Sequence, residues 1–195
     1  MYASQFGKLE TKNSNEILKI IKSTKSKMGK LKRIMENPSY KPTKCPTELT
    51  MYKCEREFLD SAICKYILLT GEYNYSNIEK KDVCFNQKLD NLVKITFNFN
   101  EWISPLGYTN TIRLSKLGEK DKISLVERLK NLHIGEWRKN YTPDRYGVCV
   151  LDGNSWSLTL EFKERKKLTY NGINAYPYNF RELTNILEEY ECFVF

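Results

Sequence analysis

The chain has 195 residues, 41% of them hydrophobic and 13% aromatic, with only six Pro and nine Gly, so it is long and apolar enough for one ordinary core plus an appendage, or two small cores, and too apolar for disorder along most of its length. Its formal net charge of +8 lies wholly between Met1 and Lys44, where ten Lys and one Arg face only Glu10, Glu16 and Glu36; residues 45–195 hold 21 basic and 21 acidic side chains. The longest strongly apolar run, Tyr66-Ile67-Leu68-Leu69, is far too short to span a bilayer, and Met1–Glu10 has no apolar leader, which leads to the expectation of a cytoplasmic protein.

Ser14 is placed to cap a helix running toward Met35, with Ile17, Ile21, Met28, Leu31 and Met35 at helical spacing and Lys on the other faces. The stretch Lys22–Lys30 is weak helix material, Asn37-Pro38 ends the helix, and Pro42 and Pro46 keep the following linker extended. Thr47 caps a second helix whose apolar face comprises Tyr52, Phe58, Leu59, Ala62, Ile63, Tyr66 and Ile67, with Gly71 as its stop. Ser76-Asn77-Ile78-Glu79 is a capping box opening a third helix, with Val83, Leu89 and Leu92 inward.

From Val93 the period falls to two. Val93, Ile95, Phe97 and Phe99 alternate with Lys94, Thr96 and Asn98 as in a half-buried strand, Pro105-Leu106-Gly107 turns the chain, and residues 108–114 form the partner. Ile123, Val126, Leu129 and Leu132 then return to helical spacing, starting near Asp121 or Ser124 and stopping at Gly135. Trp156, Leu158, Leu160 and Phe162 alternate in a third strand, residues 168–171 pair with it, Pro177 suits a first helical turn, and Phe180, Leu183, Ile186, Leu187 and Tyr190 make the stripe of a last helix. The expected fold is therefore α+β: a helical N-terminal part, then a four-stranded antiparallel sheet in ββαββα order with its helices on one face. The expected division is a basic helical arm and Pro-rich linker over 1–44, a helical segment over 45–92 and the ββαββα domain over 93–195.

Little in the sequence spells out a reaction. There is no P-loop, GxGxxG or HExxH, so no cofactor is expected, and the acidic end of the last helix, Glu188, Glu189 and Glu191, reads as solvated. Cys45, Cys54, Cys64, Cys84, Cys149 and Cys192 form no CxxC pair; they are expected to be reduced, several of them on buried faces. With one histidine, His133, near a predicted helix end, and no paired-cysteine spacing, no metal site is expected. Lys19, Lys22, Lys25, Lys27, Lys30, Lys32 and Arg33 lie within 15 residues and are the candidate contact for an acidic protein or a nucleic acid. Lys in place of Arg, and the absence of interleaved aromatics, argue against base-specific readout, and the lack of Trp or Phe argues against a membrane-surface helix.

The segments Gly135-Glu136-Trp137-Arg138-Lys139-Asn140-Tyr141, Leu151-Asp152-Gly153-Asn154-Ser155-Trp156 and Tyr170-Asn171-Gly172-Ile173-Asn174-Ala175-Tyr176-Pro177-Tyr178 together resemble an uncharacterised module of low-GC bacteria and their mobile elements, across roughly the last 100 residues. The resemblance implies a shared fold and no particular activity; a Lys-, Asn-, Ile- and Tyr-rich composition is associated with the same genomes. Trp137, Tyr141, Tyr170, Asn174, Tyr176 and Tyr178 either pack strand ends against the last helix or form an aromatic and Asn surface for a partner. The function expected is that of a non-catalytic, intracellular protein-binding module, by analogy an inhibitor of a host factor. The alternatives are nonspecific nucleic-acid binding through the basic arm and an enzyme with an unrecognised site.

Overall fold

The computed structural model describes residues 7–42, 45–102, 107–149 and 152–191, which divide in sequence between Tyr75 and Ser76 into two compact units. The first is a pair of helices packed on each other, α1 (Ser14–Met35) and α2 (Glu48–Thr70). Asn13, not Ser14, caps α1: its side chain accepts the Glu16 N–H at 3.0 Å while the Glu16 carboxylate accepts the Asn13 N–H at 3.1 Å. The weak stretch Lys22–Lys30 stays helical because Ile17, Ile21, Thr24, Met28 and Met35 are all buried, as are Tyr52, Leu59, Ala62 and Ile63 of α2. The segment Ser14–Met35 is therefore not a free arm, and contacts divide the chain after Tyr75, where the sequence pattern predicts boundaries at 44 and 92. Tertiary packing of the apolar stripe joins α1 to α2, and the third helix belongs with the sheet.

The second unit runs α3 (Asn77–Leu89), β1 (Leu92–Asn100), β2 (Tyr108–Arg113), α4 (Glu119–Asn131), β3 (Asn140–Tyr141), β4 (Ser155–Phe162), β5 (Lys167–Ile173) and α5 (Phe180–Glu191). The four anticipated strands are present and mutually antiparallel, in the spatial order β2-β1-β4-β5. The sheet nonetheless has five strands and is mixed, because β3 lies parallel on the free edge of β5, with Asn140 opposite Asn171 and Tyr141 opposite Gly172. Two residues carry no readable period, so β3 left no alternation in the sequence, and it interrupts the expected ββαββα order. The Pro105-Leu106 turn lies outside the described residues.

The inward residues of the sheet form one core with α3, α4 and α5: Ile95, Phe97, Ile112, Trp156, Leu158, Leu160, Phe162 and Tyr170 cluster with Phe85, Leu89, Leu125, Leu129, Leu183 and Leu187. The phase of two helices differs from the expectation. In α3, Asp82, Phe85 and Leu89 point inward while Val83 is exposed; in α4, Leu125 and Leu129 are buried while Ile123 is exposed. In β1 a register shift between Leu92 and Lys94 against β4 buries Leu92 and leaves Val93 exposed. Among the described cysteines, Cys45, Cys64, Cys84 and Cys149 are exposed and Cys54 is half-buried, all with free thiols, so burial does not account for them; Cys192 lies outside the described residues. Among the described residues no helix is long and apolar enough to cross a membrane.

Trp156 is buried in the middle of this core, with Trp137, Tyr141, Tyr176 and Phe180 around its ring. Trp156→Ala is expected to cost about 3–5 kcal/mol of stability. Urea denaturation of the variant followed by far-UV circular dichroism checks this, and an unchanged midpoint would refute it.

Candidate functional site

The aromatic group expected at a surface is mostly core. Trp137, Tyr141 and Tyr170 are each about 1% exposed, and only Asn174, Tyr176 and Tyr178 reach the half-buried shell. Trp137 donates its indole N–H to Asn179 Oδ1 at 3.1 Å, and Asn179 in turn donates to the Leu132 carbonyl at 2.7 Å. Trp156 donates to the Ala175 carbonyl at 2.9 Å, across the face of Gly172. Asn174 accepts the Asn154 N–H at 2.8 Å and donates to the Asp152 carbonyl at 2.9 Å, tying the turn before β4 to the turn after β5. The motifs that carry the resemblance thus meet in space as a packed, hydrogen-bonded assembly, not as an open aromatic surface. Burial pushes the Tyr170 phenol up to about 12, with the Asp82 carboxylate as a second cause, so it stays neutral.

Asp82 and His133 come together near this assembly, and sequence reasoning placed neither in a site. His133 follows α4 in a left-handed conformation, φ +50°, and opens the 3-10 turn Ile134–Glu136. That turn packs against α3 so closely that a Cβ on Gly135 would stand 2.5 Å from Asp82 Cα and 2.8 Å from Phe85 Cβ; only glycine permits the approach. His133 Nδ1 then lies 2.7 Å from Asp82 Oδ2. Ligand atoms of Asp82, His133 and Glu136 all fall within 4.8 Å of one another. Asp82 is buried, and its Oδ1 has no hydrogen-bond partner among the described residues. The one signal for this in the sequence was His133-x-x-Glu136; Asp82 was hidden because α3 was phased one residue off.

The seven basic candidates on α1 are split by the packing of the helix pair. Lys25 donates to the Tyr73 hydroxyl at 2.7 Å and lies over that ring, and Lys27 pairs with the buried Glu55 of α2 at 3.6 Å. Lys32 is half-buried. Lys19, Lys22, Lys30 and Arg33 are exposed, and none of them has an ion pair or hydrogen bond among the described residues. At about 100° per residue these four fall within roughly 80° of one helix face, spread over about 21 Å of its length.

The face of the sheet opposite the core is polar. By register, Thr111, Thr96, Thr159 and Thr169 stand side by side across β2, β1, β4 and β5. Asn98 donates to Ser157 Oγ at 3.0 Å and accepts from Thr109 at 2.9 Å in the next row.

Gly172→Ala is expected to destabilise the sheet unit by about 1–3 kcal/mol, because the new methyl would stand 2.2 Å from Trp156 Nε1 and 2.5 Å from the Ala175 carbonyl oxygen, and the second of these is backbone. Chemical denaturation monitored by tryptophan fluorescence reads the loss, and a wild-type midpoint would show that the indole does not lie over this glycine. No protein-family model matches the chain, and no curated protein and no solved structure matches it.

Proposed function

We propose that the protein acts by binding, not by catalysis, and that it engages an acidic surface of a partner protein through the outward basic stripe of α1. The observation that supports this is the stripe itself: Lys19, Lys22, Lys30 and Arg33 share one exposed face, while Lys25 bonds Tyr73 and the exposed Lys27 pairs with Glu55 of α2. A cation retained on a helix without an intramolecular partner adds little to stability and is free to steer an oppositely charged surface. Residues 1–75 hold 14 basic and eight acidic side chains, so the local field is positive beyond the stripe. The stripe has no aromatic neighbour on its own face to stack on bases, which favours a protein partner over single-stranded nucleic acid.

The test uses two probes, poly-L-glutamate and random-sequence duplex DNA, in fluorescence anisotropy titrations across a range of salt. Poly-L-glutamate is expected to bind at low salt and to be released as salt rises. Replacing Lys19, Lys22, Lys30 and Arg33 together with Gln is expected to weaken that binding at least tenfold, with melting close to wild type because all four are exposed. Lys27→Gln, which strands Glu55, is expected to lower the melting temperature and to change binding much less. Tighter binding to DNA, lost in the same four-Gln variant, would replace the acidic-protein reading with a nucleic-acid one. No binding of either probe would overturn both.

A further inference from the structure

We propose that Asp82, His133 and Glu136 form a site for one divalent transition-metal ion of the zinc class. The three residues come from two elements, α3 and the turn after α4, and they offer one imidazole nitrogen and two carboxylates, a donor set that zinc accepts. Their ligand atoms lie within 4.8 Å of one another, against about 3.4 Å between ligands of a tetrahedral zinc ion, so adjustments of the order of an ångström would bring the set to that spacing. Two carboxylate charges match the charge of the ion.

The second observation is independent of that geometry. Asp82 is 6% exposed, and its Oδ1 is buried without a hydrogen-bond partner among the described residues. A carboxylate oxygen desolvated without compensation is costly, and a His ring bonded to Oδ2 answers only half of the group. The neighbouring Lys81 donates to the Trp137 carbonyl at 3.4 Å and forms no ion pair with Asp82. Oδ1 instead lies against Gly135, within the turn that also carries His133 and Glu136. On binding, the ion takes the place of the proton that His133 Nδ1 shares with Asp82 and is held by both oxygens of that carboxylate, so that Oδ1 gains a partner. Nε2, which has no partner among the described residues, carries the ring proton. Water completes the coordination, since His133 and Glu136 are only half-buried.

The experiment must exclude the cysteines, four of the described ones being exposed, with Cys84 two residues from Asp82. The full chain is therefore alkylated with iodoacetamide and titrated with zinc chloride by calorimetry, and the same protein is titrated with cobalt(II) in an absorption experiment. One zinc ion per chain is expected, with a cobalt spectrum lacking the thiolate charge-transfer band. His133→Gln and Glu136→Gln are each expected to weaken zinc binding at least tenfold while leaving the circular dichroism spectrum unchanged. Asp82→Asn is expected to do the same; because it alters a buried group, the two half-buried positions decide the matter if that variant does not fold. Absence of saturable zinc binding by the alkylated chain would overturn the site and leave Asp82 and His133 as a structural ion pair. So would binding that neither Gln variant weakens, or binding that alkylation abolishes.

Discussion

The sheet unit depends on the contact between the Trp156 indole and the bare backbone of Gly172. The two residues are direct partners across β4 and β5, and the ring lies over the glycine to reach the Ala175 carbonyl beyond it. A side chain at position 172 would push the ring off the sheet and remove the acceptor from its reach. The same rung extends to both sides: Phe99 stands opposite Trp156 on β1, and Tyr141 opposite Gly172 on β3. One row thus runs from an aromatic on β1, through the tryptophan and the gap above the glycine, to a tyrosine on the edge strand. Trp137, Tyr176 and Phe180 close over it, which is how α5 and the segment after α4 come to rest on this end of the sheet. Aromatic side chains bury more area than any others, and the Trp N–H must find a partner inside, so size and hydrogen bonding together single out this arrangement.

Register has a consequence on the other face. Once the core row is in place, the period of two puts Thr111, Thr96, Thr159 and Thr169 in line, with a mixed row of Arg113, Lys94, Glu161 and Lys167 beside them. Lys94 and Lys167 both reach Glu161 at 3.3 Å, so two of the three cations of that row share its one carboxylate. The charge of the α1 stripe is not satisfied in this way.

The two functional proposals rest on different physics and succeed or fail separately. Recognition by the stripe is long-ranged, tolerant of geometry and weakened by salt. The Asp82–His133–Glu136 cluster is short-ranged and geometric, and depends on a buried carboxylate that the fold has already paid to desolvate. Neither proposal needs the aromatic motifs to be a binding surface; their burial explains the pattern as a requirement of packing.

The sequence by itself determined the class of fold, because amphipathic periods and caps are local. The α3 capping box at Ser76 and Glu79, the α2 cap at Thr47, its stop at Gly71 and the alternation of β1 and β4 all follow from neighbouring residues, and all are present. It also located the whole charge excess in residues 1–44, most of it on α1. What only the tertiary structure decided is everything that requires two distant segments to choose each other. The pairing of α1 with α2 turned a basic arm into one half of a helix pair and gave Lys25 and Lys27 partners that Lys19, Lys22 and Lys30 lack among the described residues. β3 exists because an edge of β5 was open, not because two residues have a preference of their own. Val83 and Ile123 fit helical stripes as well as Asp82 and Leu125 do, so which face turned inward was settled by what it met. Asp82 joined His133 only because Gly135 let one backbone approach another, a contact between residues more than 50 positions apart that no local pattern encodes.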